Sequence, residues 1–130
     1  MVRERNQPVR ILVVEDDPDV LSALNIALGL VGFDVDVMLH GKEILTNQFV
    51  LPDLFVIDKR LPDIDGLDLC KFLKSKQNYK GVPVIVISAS EKTRKKALAV
   101  GASEFIAKPF AVGDLVNAIN NTLQLNKSVD

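Results

Sequence analysis

The sequence predicts an α/β protein built on a parallel sheet with helices on both faces. Val9 to Val14, Leu54 to Ile57 and Val82 to Ile87 are short runs rich in Val, Ile and Leu, without alternation. That pattern suits strands buried on both faces. The runs alternate with helix-patterned segments about five times, as right-handed crossovers between parallel strands require. Each run also ends in a reactive polar residue: Glu15-Asp16-Asp17, Asp58 and Ser88, with Lys108-Pro109 after the later segment Glu104 to Ala107. Ligands of open α/β sheets bind outside the carboxyl ends of the strands. Parallel, adjacent strands would gather the acids, the hydroxyl and the ammonium at one edge. Such a set can hold Mg²⁺ and a phosphoryl group, which points to phosphoryl transfer.

The elements follow in order. Asp17-Pro18 reads as an N-cap with Pro at the first helical position. Val20, Leu21, Leu24, Ala27, Leu28 and Val31 recur at helical spacing, and Gly32 stops that helix. Phe33 to Leu39 alternates Phe, Val, Val and Leu with Asp and Met, which suits a strand with one face less buried. Gly41 to Phe49 is a short, weak helical pattern. Asp65-Gly66 opens a helix with Leu69, Cys70 and Leu73 inward. Ser90 stands where it would cap a helix running to Val100, which Gly101 ends. Val112, Leu115, Val116, Ile119 and Leu123 mark one face of a last helix. The expected domain covers residues 8–125, with 1–7 and 126–130 as flexible ends.

Bulk properties exclude several classes. A chain of 130 residues suits one domain with one core. A formal net charge of −1 offers no general attraction to nucleic acid or an anionic membrane. No apolar stretch approaches the roughly 20 residues that span a bilayer, and Met1 to Pro8 lacks a signal-peptide apolar region. The single cysteine, Cys70, forbids an internal disulfide and fits a reducing compartment. The sequence therefore reads as cytoplasmic, with neither membrane nor direct nucleic-acid binding.

Several of the polar positions also have a plain structural explanation. Asp17 is accounted for by helix capping, and acids favour a helix N-terminus. Glu15 and Asp16 precede the cap and follow the strand directly, so capping leaves them unexplained. Asp58 alone could be the first solvated loop residue, but Lys59 to Gly66 is turn-rich and suited to holding a shape. A Lys before Pro is kept extended, which aims its side chain. Ser88 alone says little. His40 sits on no motif and reads as an exposed loop residue, and Cys70 as a small buried hydrophobe.

Taken together these motifs become specific. Ile11-Leu-Val-Val-Glu-Asp-Asp17, Pro52-Asp-Leu-Phe-Val-Ile-Asp58, Leu61-Pro-Asp-Ile-Asp-Gly66, Pro83-Val-Ile-Val-Ile-Ser-Ala89 and Gly101-Ala-Ser-Glu-Phe-Ile-Ala-Lys-Pro-Phe110 occur in sequence. Over residues 9–124 the chain resembles the receiver domain of two-component (phosphorelay) response regulators. The resemblance implies a flavodoxin-like (βα)₅ three-layer sandwich with strand order 2-1-3-4-5. It implies Asp58 as phosphoryl acceptor. Asp16, Asp58 and the Arg60 backbone carbonyl would ligate Mg²⁺, with Glu15 acting largely through water. Ser88 would donate a hydrogen bond to the phosphoryl group, Lys108 would pair with Asp58, and Lys108-Pro109 would be cis. The phosphoryl donor would be a phosphohistidine on a sensor histidine kinase or histidine phosphotransfer domain. The domain would catalyse only its own phosphorylation and dephosphorylation.

The resemblance also implies a switch in which Ser88 moves toward the phosphoryl group and Phe105, on the fifth strand, takes the inward position. Tyr is common there, and Phe105 lacks its hydroxyl. Phe110 reads as packing. Lys92, Arg94, Lys95 and Lys96 form a basic face beside the expected switch surface. Lys59-Arg60 replaces the usual apolar pair after the acceptor. Homodimerisation on phosphorylation is compatible with the resemblance. The output domain or protein is unknown, since no output pattern is legible after Leu125. The reading therefore leaves open a stand-alone receiver or one carried by a longer regulator or hybrid kinase.

Other functions fit less well. An aspartate-nucleophile phosphatase needs a second Asp where Arg60 stands, and Glu-Asp-Asp-Pro would repel a flavin phosphate. A receiver-like module that signals without phosphorylation is the alternative, against which the intact acids, Ser88 and Lys108 argue.

Overall fold

The computed structural model describes residues 7–124. Five parallel strands lie in the order β2-β1-β3-β4-β5: β1 Arg10–Val14, β2 Asp34–Met38, β3 Leu54–Asp58, β4 Val84–Ser88 and β5 Glu104–Ala107. The helices are α1 Pro18–Val31, α2 Gly66–Ser75, α3 Arg94–Ala99 and α4 Val112–Leu123. This is the flavodoxin-like sandwich with the expected strand order. The flexible ends expected at 1–7 and 126–130 lie, Gln7 apart, outside the described residues.

Strand periodicity divides the core into two layers. Leu12, Val14, Phe55, Ile57, Val84 and Val86 face α2 and α3 and pack with Leu69, Cys70, Leu73, Ala97 and Phe105. Ile11, Val13, Leu54, Val56, Ile85 and Ile87 face α1 and α4 and pack with Leu21, Leu24, Leu28, Leu115 and Ile119. Burial on both faces is why these strands read as unbroken apolar runs. At the amino end of the sheet, Phe49, Phe55 and Tyr79 form a ring cluster, with centroids 5.2 Å apart for Phe49 and Tyr79 and 5.9 Å for Phe49 and Phe55.

Local chemistry sets the boundaries. Asp17 caps α1, accepting from the Asp19 and Val20 amides, and Gly32 ends it at φ 108°. The second crossover is a 3₁₀ helix, Gly41–Thr46, rather than the longer helix expected to Phe49. Its Gly41 backbone approaches Ile64 so closely that a Cβ would sit 2.6 Å from Ile64 Cγ2. The fourth is split into a 3₁₀ turn, Glu91–Thr93, and the short α3. Ser90 makes no side-chain cap; instead its amide donates to Ser88 Oγ at 3.1 Å. β2 is an edge strand whose acids pair outward with Arg10, at 3.2 Å from Asp34 and 2.9 Å from Asp36. Met38 is buried there while Val37 and Leu39 are exposed, so the alternation expected over Phe33 to Leu39 holds only at its start.

Gly66 matters most for the site. Its amide donates to the Lys59 carbonyl at 2.8 Å, closing the loop after β3. A Cβ there would lie 2.2 Å from the Asp58 carbonyl oxygen and 2.7 Å from Lys59 Cα. Both obstacles are backbone, so the strand end itself would have to move. Gly66→Ala should therefore cost about 3 kcal/mol or more, read as a lowered urea midpoint. Gly29→Ala, on an open face of α1, should stabilise by roughly 0.5–1 kcal/mol. A Gly66→Ala midpoint equal to the parent's would contradict the packing described.

Candidate functional site

Register brings the site residues to one level. Val14 pairs with Ile57, Asp58 with Ile87 and Ser88 with Ala107. Glu15, Asp58, Ser88 and Lys108 thus end adjacent strands side by side. Main-chain bonds extend the ladders past the strand ends: Glu15 N to Met38 O at 3.0 Å, Lys59 N to Ile87 O at 2.8 Å and Lys108 N to Ser88 O at 2.9 Å. They line a cleft of about 420 Å³ together with Asp16, Asp17, Arg60, Ala89, Ser90 and Thr93.

The acids form a compact group. Carboxylate oxygens of Glu15, Asp16 and Asp58 lie within 4.8 Å of one another. Glu15 and Asp58 are buried and Asp16 is exposed. A set of oxygen donors only, partly open to water, fits Mg²⁺, which takes one or two carboxylates and keeps several waters. Lys108 Nζ donates to Asp58 Oδ2 at 2.6 Å and stands 3.6 Å from Glu15 Oε2. The Arg60 amide donates to Asp58 Oδ1 at 2.9 Å, so both oxygens of Asp58 are engaged. The peptide bond between Lys108 and Pro109 is cis.

Electrostatics divides the two buried acids. Burial, the hydrogen bond with Asp58 and the Asp58 charge push Glu15 up to about 8. Burial also pushes Asp58 up, but the hydrogen bonds from Glu15, Lys108 and the Arg60 amide outweigh it and hold Asp58 below the usual carboxylate range. Burial and the Asp58 charge favour the proton on Glu15, while Lys108 and the Arg60 amide favour the charge on Asp58. Crowding of acids at this edge thus raises one carboxylate and not the other. Burial works against the Lys108 charge, yet its bond to Asp58 and the two acidic charges raise its pKa.

The loop after β3 is pinned at three places. Lys59 Nζ pairs with Asp65 at 2.9 Å. Asp65 Oδ1 accepts from the Leu67 amide at 2.8 Å and so caps α2. Asp63 accepts from the Gly41 and Lys42 amides at 3.1 and 2.9 Å, and these bonds hold its pKa down against slight desolvation. The Arg60 side chain is exposed at the rim of the cleft.

The hydroxyl side of the site contains a residue that the sequence reading missed. Ser88 Oγ donates to Thr93 Oγ1 at 3.4 Å, with both side chains buried. Thr93 shares a helical stripe with Ala97 and Val100 and is its polar member, which was the available signal. Phe105 lies inward at 3% exposure. Arg94, grouped by sequence with the neighbouring lysines, instead lies over the Phe105 ring. His40 is exposed and Cys70 buried, as read from the sequence. Phe110 is partly buried against the α1/α4 layer.

Glu15 gives stability a pH dependence of definite sign. With its folded pKa raised from 4.5 to about 8, the folded chain keeps a proton that the unfolded chain releases. The stability this contributes is complete below about pH 4.5 and is lost as pH rises toward about 8. Asp58, lowered, acts only at more acidic pH, and Lys108 stays charged throughout this window. With divalent metal chelated, the urea midpoint should fall between about pH 5.5 and 8. Glu15→Gln should flatten that fall and exceed the parent at about pH 8. A parent midpoint that rises across the interval would contradict the placement of the proton.

Comparison with known proteins agrees with this geometry. The family model described as response regulator receiver domain matches residues 11–120. The phosphate regulon transcriptional regulatory protein PhoB of Rhizobium meliloti is 34% identical over 91% of this chain and 53% of its own length. The DNA-binding response regulator MtrA of Mycolicibacterium smegmatis is 36% identical over 91% of this chain and 52% of its own. The chain therefore spans about half the length of these curated relatives. A solved structure of the response regulator TrrA of Thermotoga maritima in complex with Mg²⁺-BeF superposes with a TM-score of 0.78 at 28% identity, covering 88% of this chain and 98% of that one. No helix among the described residues is long and apolar enough to cross a membrane. A signalling domain rather than a metabolic enzyme is what the fold, the acidic cleft and the family match agree on, and the chain belongs to the response regulator receiver domain family of two-component systems.

Proposed function

We propose that this domain, over residues 8–125, accepts a phosphoryl group on Asp58 from a phosphohistidine of a sensor histidine kinase or histidine phosphotransfer partner in the cytoplasm. The observation that carries this reading is the 2.6 Å contact of Lys108 Nζ with a buried Asp58 inside a cluster of acids. In the proposed reaction an oxygen of Asp58 bonds to phosphorus as the phosphorus–nitrogen bond breaks, and the imidazole keeps the electron pair. Two anions must approach, so catalysis consists mainly of positioning and charge neutralisation. Lys108 neutralises part of that charge. Ser88, buried at the end of β4, turns its hydroxyl toward one phosphoryl oxygen, and the Ala89 amide adds a donor. Glu15, Asp16, Asp58 and the Arg60 backbone carbonyl would hold Mg²⁺, which supplies further neutralisation when bound. Arg60, at the rim, faces incoming donor or water.

Phosphorylation re-aims the Ser88 hydroxyl, and with it the Thr93 hydroxyl that it contacts, so that an output domain or protein reads the altered surface. The relatives named above are transcriptional and DNA-binding regulators, which motivates an output module as the reader rather than direct nucleic-acid contact by this domain. Homodimer formation on phosphorylation belongs to the same reading.

Two experiments test it. Acetyl phosphate with Mg²⁺ should add one phosphoryl group by intact mass, hydroxylamine should remove it, and Asp58→Asn should abolish it. Full labelling of Asp58→Asn, or none of the parent, sinks the assignment, the latter in favour of a module that signals without phosphorylation. Millimolar Mg²⁺ should also raise the melting temperature, because it binds the folded cluster and not the unfolded chain. Asp16→Asn should stabilise the metal-free protein and remove that response. The same Mg²⁺ shift in parent and variant, at matched ionic strength, would dismiss the acidic cluster as the metal site.

A further inference from the structure

The basic run around α3 does not act as one surface. Lys92, Lys95 and Lys96 point into solvent. Arg94 is different: its Cζ lies 4.8 Å from the centroid of the Phe105 ring. Its Nη1 donates to the Phe105 carbonyl oxygen at 3.4 Å. Its Nε donates to the Glu91 carboxylate. One guanidinium thus holds both the ring and the backbone of a single residue while a carboxylate holds the guanidinium. A cation over an aromatic face is attracted by the ring quadrupole, and the planar fork of Arg stacks while its N–H groups still bond in plane. A phenylalanine has no hydroxyl to anchor it, so packing and its ring face are its only handles. None of these contacts involves Asp58, Ser88 or Lys108.

We propose that Arg94, braced by Glu91, is a positioning residue that latches Phe105 inward independently of the chemistry at Asp58. This rests on the reading of Asp58 as phosphoryl acceptor and Phe105 as the aromatic of the switch. A latched ring keeps the β5 surface constant. The hydroxyls of Ser88 and Thr93, 3.4 Å apart, are then the groups that follow the phosphoryl site.

The test is ¹⁹F NMR of the chain carrying fluorophenylalanine, with the Phe105 line assigned by Phe105→Leu. Spectra are taken with and without Mg²⁺ and acetyl phosphate, and intact mass is recorded on the same samples. The parent should give one narrow Phe105 line that keeps its position on phosphorylation. In Arg94→Gln the line should broaden or shift without the phosphodonor and should move when it is added. Glu91→Gln should show a smaller effect of the same kind. Arg94→Lys, which keeps the charge but loses the fork, should fall between parent and Arg94→Gln. A parent line that moves on phosphorylation as far as that of Arg94→Gln overturns the latch. So do identical donor-free lines in parent and Arg94→Gln. If mass shows no phosphoryl addition, the reading of Asp58 has failed, and the donor-free comparison still decides the latch. If Arg94→Gln does not fold, Glu91→Gln and Arg94→Lys make the same comparison.

Discussion

Charge crowding at the carboxyl edge of the sheet is the constraint around which this domain is arranged. Two unit charges about 4 Å apart repel by about 4 kcal/mol at an effective dielectric of 20. Carboxylate oxygens of Glu15, Asp16 and Asp58 come within 4.8 Å of one another because parallel strands in register end at the same level. Lys108 relieves part of the repulsion and stands closer to Asp58 than to Glu15. The result is a crowded acidic edge whose oxygen donors suit a divalent cation.

The two walls of the cleft are held by different kinds of bond. The wall after β3 is fixed by main-chain and carboxylate bonds: Gly66 to Lys59, Lys59 to Asp65, and Asp63 to the amides of Gly41 and Lys42. It sets Asp58 in place and leaves no room for a Cβ at Gly66. The wall after β4 is held by the main-chain bond from Lys108 to Ser88 and, on its cleft side, by hydroxyls, Ser88 with Thr93 and with the Ser90 amide. Hydroxyls re-aim by a single rotation, whereas a strand end does not. On the proposed reading, a pinned Asp58 beside hydroxyls that can be re-aimed would couple a covalent event to a change of surface.

Much of this was legible in the sequence for definite reasons. Strands buried on both faces must be apolar throughout, so β1, β3 and β4 were visible as runs. Polar residues that follow such runs can be placed at one edge by topology alone, so Glu15, Asp58, Ser88 and Lys108 were visible as a set. Asp17-Pro18 and Gly32 marked the ends of α1 through capping chemistry that is local to the chain. What escaped depended on tertiary contact. Thr93 sits inside a run of charged residues and is recognisable only by sharing a stripe with Ala97 and Val100. Ser90 had the right type and place for a cap, yet its amide serves Ser88. Arg94 looked like its neighbours Lys92, Lys95 and Lys96, and only the fold shows that one cation of the four lies over an aromatic ring. The pattern from Gly41 to Phe49 could not show that Gly41 is crowded by Ile64, Leu69 and Leu61, so that the short 3₁₀ helix begins packed against the loop after β3 and against α2.

The ring cluster at the amino end of the sheet has an optical consequence. The chain contains no tryptophan and one tyrosine, Tyr79, stacked on Phe49 with the rings inclined by 28° and 7% exposed. Ultraviolet emission and near-ultraviolet dichroism of this protein therefore originate largely from a single fixed chromophore in the core, at the end of the strands opposite the acidic cleft. Those signals follow the integrity of the sheet from the end of the strands opposite Asp58, and one chromophore suffices to record the unfolding transition.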